Sequence, residues 1–192
     1  MTRPRQDRAI AKRARLVEAG AELLQEGGPH AFTARAVAAR AGVALSAVTY
    51  YFASVDELLG LSAAEVCGHW AGEAGEAVRR ISRRGYAAAA EGIAAALLPP
   101  GGADDVLSRY EQLLAAARVG PVAAALAGLR PALLSAIEAI LRTCRVHTAL
   151  STDQLLCVAD GAVFGALSER RPDPRAVVQA RLAEVLKIAA AR

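Results

Sequence analysis

A chain of 192 residues is one ordinary domain or a small module fused to a larger one, and can bury about 70% of its unfolded surface without a metal or disulfide framework. Alanine supplies about a quarter of the residues and aromatics only 4%, which excludes a β-sandwich or barrel and points to helices. The net charge of +4 lies wholly in the first quarter, where eight basic and four acidic side chains precede Val55, whereas 15 of each follow.

The first predicted helix runs from Ala9 to Glu26, with Ile10, Ala14, Val17, Ala21 and Leu24 at alternating spacings of four and three, and Gly27-Gly28-Pro29 ends it. Thr33 is the expected N-cap of a second, short helix, with Phe32 stapled onto Val37, and Gly42 stops it. A third helix is expected from about Leu45 to Phe52, held by Val43, Val48 and Phe52. Ser54-Val55-Asp56-Glu57 then reads as a capping box opening a long fourth helix toward Ile81. Further helices are expected at about Tyr86–Leu98, Asp104–Val119, Val122–His147, Thr152–Arg170 and Pro174–Ala190, with Pro131 kinking or splitting the third of these. Ser151-Thr152-Asp153-Gln154 forms a second capping box with a Leu150/Leu155 staple, and Asp173-Pro174 an N-cap followed by proline at the first helical position. About nine helices fit the chain.

The segment Thr33–Phe52 has the layout of a helix-turn-helix, two short helices joined by a tight glycine turn behind a longer supporting helix. Small residues Ala36, Ala38, Ala39 and Ala41 allow the helices to approach. With Val43, Val48 and Phe52 inward, Leu45, Ser46, Ala47, Thr49, Tyr50 and Tyr51 face outward, a set suited to phosphate hydrogen bonds and thymine methyl contacts. The adjacent basic arm, Arg3 to Arg15, supplies the charge that phosphate binding uses.

At these residues the sequence resembles the TetR family of bacterial transcriptional regulators. The resemblance is carried by Phe32-Thr33-Ala34-Arg35-Ala36-Val37-Ala38-Ala39-Arg40-Ala41-Gly42-Val43, by Ala47-Val48-Thr49-Tyr50-Tyr51-Phe52, and by Ser54 with Asp56-Glu57-Leu58-Leu59. It covers about the first 60 residues. It implies an all-α chain: a three-helix DNA-binding head over 1–56, and a helical body over 57–192 that binds a small effector and forms a homodimer through its last two helices. It further implies that Thr33 and Arg35 touch the DNA backbone, while Ser46, Ala47, Thr49, Tyr50 and Tyr51 face the duplex. The chain departs from the family pattern at Ala44 and Leu45, where many members have serine and a basic residue, and near Ala53 and Val55, where many have another basic one. Either the arm residues Arg3 to Arg15 compensate, or affinity is modest and strongly salt-dependent.

The last two predicted helices carry Leu155, Ala159, Ala162 and Val163, then Val178, Leu182 and Val185, more apolar surface than one core-facing stripe uses. A four-helix dimer interface, with Gly161 and Gly165 permitting close approach, is one use for it, and a wholly buried terminal hairpin the other. Candidate effector contacts are Trp70, Tyr86, Tyr110, Cys144, His147 and Phe164, and the aliphatic body favours an apolar effector over a multiply charged one.

Nucleophile-elbow, zincin, phosphate-loop and dinucleotide-binding motifs are absent, and no cofactor or metal is expected. The N-terminus has no apolar signal core, the three cysteines have no C-x-x-C spacing, and no uncharged apolar stretch approaches the ~20 residues that span a bilayer. A cytoplasmic protein away from membranes is the expectation. The leading reading is a homodimeric regulator, most simply a repressor, that binds a palindromic operator in double-stranded DNA and is released by a small molecule. The alternatives are a helical ligand-binding or scaffold protein with a degenerate head, and a helical enzyme using Cys144 and His147.

Overall fold

The computed structural model describes residues 3–190, with side chains from Asp7 onward. Among these residues there are nine helices and no strand: α1 (Arg3–Ala31), α2 (Ala34–Arg40), α3 (Ser46–Tyr51), α4 (Val55–Arg79), α5 (Tyr86–Leu97), α6 (Ala103–Ala116), α7 (Gly120–Cys144), α8 (Thr152–Ser168) and α9 (Pro174–Ala190). They pack as two compact units. The first comprises the residues up to His69 with Tyr110–Gly128, and the second Trp70–Arg109 with the residues from Leu129 on.

In the first unit, α1 begins earlier than its apolar pattern predicts, so the basic arm is helical from Arg3. Its regular geometry breaks at Gly28 (φ 64°, ψ −167°), a conformation that glycine adopts without strain, and Pro29 follows. The predicted stripe holds in its second half, where Ala21 and Leu24 are buried and Val17 is half-buried, but not in its first: Ile10 is 61% exposed and Ala14 lies outside, while Leu16, Ala19 and Leu23 beside the stripe are also buried.

The start of α4 lies close against α1. Ser62, fully buried, donates its hydroxyl to the Val17 carbonyl at 3.1 Å. A methyl group at Gly20 would stand 2.2 Å from Ser62 Oγ and 2.8 Å from Phe32 Cε2. Replacing Gly20 by alanine gains about 1 kcal/mol of helix propensity. It also overpacks the junction, at about 1–3 kcal/mol, and strains the Ser62 bond, worth about 1 kcal/mol more. The expected result for Gly20→Ala is a net loss of about 1–3 kcal/mol, read as a lower urea midpoint.

The second unit is organised around α9, which packs against both α5 and α8. Ile93, Ile137, Ile140, Leu155, Val163, Val178, Leu182 and Leu186 have no exposed surface and form its core. The predicted caps are present. Ser151 Oγ accepts the Gln154 N–H at 3.1 Å while the Gln154 side chain accepts the Ser151 N–H at 2.8 Å, and Asp173 accepts the Ala176 N–H at 2.9 Å.

Two expectations for α7 change. The helix is not split at Pro131, since Pro131 and Ala127, whose carbonyl loses its helical donor there, are both exposed to water. It also ends at Cys144, where Arg145 turns to φ 56°, leaving His147 beyond it. Because α7 runs unbroken, it is by length and composition alone apolar enough to cross a bilayer, with a mean hydropathy of 1.6 over its most apolar stretch. Arg130, which interrupts the uncharged run in the sequence, pairs with Asp153 in the structure.

Candidate nucleic-acid interface and body cavity

The head is built from local rules. Thr33, with extended backbone, accepts the Ala36 N–H at 3.1 Å and starts α2. Val37 and Ala38 face inward, and Gly42 (φ 64°) makes the turn, with the Val43 N–H returning to the Ala38 carbonyl at 3.0 Å. Helix α3 is held by Val48 and Phe52, at 2% and 4% exposure. Its N-cap, Leu45, supplies no side-chain hydrogen bond. Ser54 caps α4 by accepting the Glu57 N–H at 3.0 Å. The Glu57 carboxylate reaches one residue further back than a capping box predicts, accepting from the Ala53 N–H at 2.7 Å.

Fixing Val48 and Phe52 inside turns the opposite face of α3 to solvent. Leu45 is 46% and Tyr50 77% exposed, Ser46 and Thr49 are exposed, and Ala47 and Tyr51 are half-buried. The Tyr50 and Tyr51 rings meet edge to face, 4.9 Å apart at 89°, and Thr49 donates its hydroxyl to the Ser46 carbonyl at 3.1 Å. On α2, Thr33 and Arg35 are exposed. All eight side chains expected to meet DNA therefore belong to one packing unit, and six of them are open to solvent.

The basic residues divide. Arg15 donates to the Ala41 carbonyl at 2.6 Å, bracing the end of α2, and Arg13 lies 5.0 Å over the Phe52 ring with its Nη2 3.4 Å from Glu57. Arg40 forks onto Glu26 at 2.7 and 2.9 Å and reaches Glu22 at 3.0 Å. Its hydrogen bonds with Glu26 and then Glu22 push the guanidinium above its ordinary range, and the bond to Arg40 holds the Glu26 carboxyl below its own. Arg13 and Arg15, two of the arm residues expected to contact phosphates, are thus used to assemble the head. Arg8, Lys12 and Arg35 are exposed, and the side chains of Arg3 and Arg5 lie outside the described residues.

In the second unit an open cavity of about 550 Å³ is lined by apolar groups including Ala77, Ile81, Ala88, Ala95 and Leu98, and by charged ones. Glu73 pairs with Arg109 at 2.7 Å, Glu76 with Arg79 at 2.6 Å, and Glu91 with Arg83. The Glu76 carboxyl is held below its ordinary range by the hydrogen bond from Arg79. Arg175 donates to the carbonyls of Ala94, at 3.4 Å, and of Pro99.

None of the six side chains expected to contact an effector lines this cavity. Trp70 is buried beneath Arg109, whose guanidinium lies 4.5 Å above its ring, and Tyr86 begins α5 half-buried. Tyr110 belongs to the first unit. Cys144 is buried with its thiol directed to the Arg83 carbonyl, burial pushing that thiol up from its ordinary pKa, while His147 is exposed past the helix end. Cys144 and His147 therefore do not share a helix face, which removes the geometry on which the enzyme reading rested. Phe164 is 69% exposed on α8. The sequence signal for the cavity was Glu73 and Glu76, three apart near the end of α4, with Arg80 just beyond it, beside the alanine-rich α5.

Of the residues expected at a dimer interface, Leu155, Ala159, Val163, Val178 and Leu182 are buried within the protomer, where α8 and α9 close the core. Ala162 and Val185 are half-buried, and the outward surface of these helices carries Phe164 and, at 59% exposure, Ile188.

A short helix, a glycine turn and a second short helix with its polar face outward define a helix-turn-helix head. The model of bacterial regulatory proteins of the tetR family matches residues 16–60, and that of the Tetracyclin repressor-like C-terminal domain matches 82–188, more than half of the chain. The chain belongs to the TetR family and is a transcriptional regulator of the DNA-binding, all-α type. No curated protein matches it.

Its fold is similar to that of the multidrug binding protein EbrR complexed with proflavin, with a TM-score of 0.66 and 22% identity over 91% of this chain and 99% of that one. It is also similar to SCO7518 from Streptomyces coelicolor A3(2), with a TM-score of 0.69 and 21% identity over 91% and 98% of the two chains. A transcriptional regulator from Rhodococcus sp. Rha1 follows, with a TM-score of 0.65 and 22% identity over 93% and 97%.

Proposed function

We propose that this protein is a cytoplasmic repressor, without enzymatic activity, that binds a palindromic operator as a homodimer and releases it when a small molecule occupies the body. The observation that carries the reading is the solvent-facing surface of α3, where Tyr50 is the most exposed of the described large apolar side chains although its helix neighbour Val48 is fully packed. The functional division falls at 56/57, head before and body after. Thr33 and Arg35 hold the DNA backbone, and Leu45, Ser46, Ala47, Thr49, Tyr50 and Tyr51 meet the major groove.

The dimer forms through the outward face of α8 and α9, with Ala162, Phe164, Val185 and Ile188 covered by the second copy and the buried residues behind them supporting the surface. A Cβ at Gly161 or Gly165 meets nothing within 4 Å in the protomer, so neither glycine is demanded by the protomer's own packing, and both suit close contact with a partner helix.

The effector occupies the cavity of the second unit. Its aliphatic lining suits the apolar effector expected from the sequence, and the glutamates and arginines around it suit a polar or charged end on that molecule. The likeness to EbrR, a multidrug binding protein complexed with proflavin, supports a small-molecule ligand for this fold. Helix α4, which supplies both Ser54–Glu57 at the head and Glu73 and Glu76 at the cavity, is the covalent route by which ligand and operator influence each other. Such coupling is reciprocal, at about 1–3 kcal/mol.

The charge distribution gives a test. Arg35 is exposed on α2 and has no partner among the described residues, whereas Arg13 and Arg15 do. Arg35→Ala is expected to weaken binding to all duplexes alike and to reduce the slope of log affinity against log salt by about one per protomer, measured by fluorescence anisotropy. An unchanged slope would remove Arg35 from the interface. The second reading, a ligand-binding or scaffold protein with a degenerate head, is favoured by the inward use of Arg13 and Arg15. It predicts weak binding to any duplex, with no sequence preference.

A further inference from the structure

The chemistry of base readout and the composition of α3 together narrow what the operator contains. Two hydrogen bonds to a guanine edge need a guanidinium or ammonium donor, two to adenine need a carboxamide, and a bond from cytosine N4 needs a carboxylate. From Ala41 to Val55, the whole of α3 with its flanking turns, there is no arginine, lysine, histidine, asparagine, glutamine, aspartate or glutamate. The nearest cation before this stretch, Arg40, is committed to Glu26 and Glu22; of the two carboxylates beyond it, Glu57 is committed to the Ala53 N–H and Asp56 stands in the first turn of α4, not on α3.

What α3 does present is hydroxyl and hydrocarbon. The hydroxyls of Ser46 and Tyr50 can both donate and accept, so they bond to several base edges or to phosphate without telling bases apart. The Thr49 hydroxyl already donates within the helix. The group in the major groove that hydrocarbon does distinguish is the thymine C5-methyl. Leu45 at the start of the helix, 46% exposed without capping it, together with Ala47 and Thr49, is the surface available for such contacts.

We infer that this regulator reads its operator half-sites through thymine methyl groups packed against Leu45, Ala47 and Thr49, and not through guanine or adenine hydrogen-bonding edges. The inference rests on the DNA-binding reading above and specifies what that interface recognises. It predicts half-sites in which the base pairs facing α3 are A·T, with thymines at fixed positions.

The test uses the full-length wild-type protein and duplexes enriched by it from a random pool. In each enriched duplex, thymines of the half-site are replaced one at a time by deoxyuridine, which deletes only the methyl and leaves the minor-groove edge and Watson–Crick pairing intact. Each methyl read by the protein is expected to be worth about four-fold in affinity, the equivalent of one buried carbon. Exchanging the same T·A pair for 5-methylcytosine·G, which keeps a methyl at that place, is expected to retain binding better than unmethylated C·G. In the Leu45→Ala protein, with helicity verified by circular dichroism, at least one deoxyuridine substitution is expected to lose its effect. Full affinity for duplexes with every half-site thymine replaced would overturn the inference while leaving sequence-specific binding, and so the regulator reading, in place. Enrichment of no sequence, or no duplex binding at all, would overturn both.

Discussion

A chain carrying Thr49→Ala and Tyr50→Ala is expected to lose sequence-specific duplex binding by about a thousand-fold while keeping its helicity and its oligomeric state. Both side chains are exposed, and neither supports the core. Thr49 uses its hydroxyl only on the Ser46 carbonyl of its own helix, where alanine is the better helix former. Tyr50 has one described ring partner, Tyr51, and losing that edge-to-face contact costs folding about 0.5–1.5 kcal/mol at most. At the interface the same side chains matter more. Each contributes about 1 kcal/mol of hydrogen bonding or apolar contact, and a two-fold dimer loses four of them, about 4 kcal/mol in all. Anisotropy titrations against a preferred and a scrambled duplex, with circular dichroism as the control, separate the two effects. Undiminished affinity for the preferred duplex in a folded double variant would contradict a role for Thr49 and Tyr50 in binding.

Replacing Leu182 by alanine acts at the other end of the chain. The side chain has no exposed surface and belongs to α9, which packs against both α5 and α8. The cavity left by Leu182→Ala is expected to cost about 2–5 kcal/mol, a large share of the 5–15 kcal/mol typical of a folded domain. Denaturant unfolding checks this, with a lower midpoint and an unchanged slope as the expected signature. Ile188→Ala on the same helix provides the contrast. With 59% of its surface exposed it is expected to change protomer stability by less than about 0.5 kcal/mol. Under the dimer proposal it weakens self-association instead, which sedimentation equilibrium detects. Equal effects of the two substitutions on unfolding would contradict the assignment of Leu182 to the core and Ile188 to the interface.

The parts of the fold that were legible in the sequence are those fixed by local chemistry. The hydroxyl and carboxylate caps at Thr33, Ser151 and Asp173, and the glycine turn at Gly42, each satisfy backbone groups within a few residues of themselves. Spacing and side-chain type therefore located them. The outward face of α3 followed from Val48 and Phe52 in the same way.

What was not legible depends on long-range packing. Whether Arg13 and Arg15 serve DNA or the head is decided by Glu57, Phe52 and the Ala41 carbonyl, which the fold brings to them across 26 to 44 residues of sequence. The inward face of α1 is buried only from Leu16 on, where Ser62 approaches Val17 and Gly20, and apolar periodicity alone ran it back to Ile10 and Ala14. The cavity was hidden because aromatic and thiol groups do not mark it. Trp70 and Cys144 are packed, while the space is lined by small aliphatic residues and by charges whose partners come from other segments.

The central claim is that two copies of this head read a specific duplex sequence. Selection of bound sequences by the wild-type protein from a random pool of double-stranded DNA, at about 150 mM salt where non-specific phosphate contacts are partly screened, tests it most directly. The expected result is an enriched palindrome whose half-sites are centred about 34–36 Å apart, one helical turn, or a multiple of that spacing. Recovery of unenriched, random DNA would contradict it.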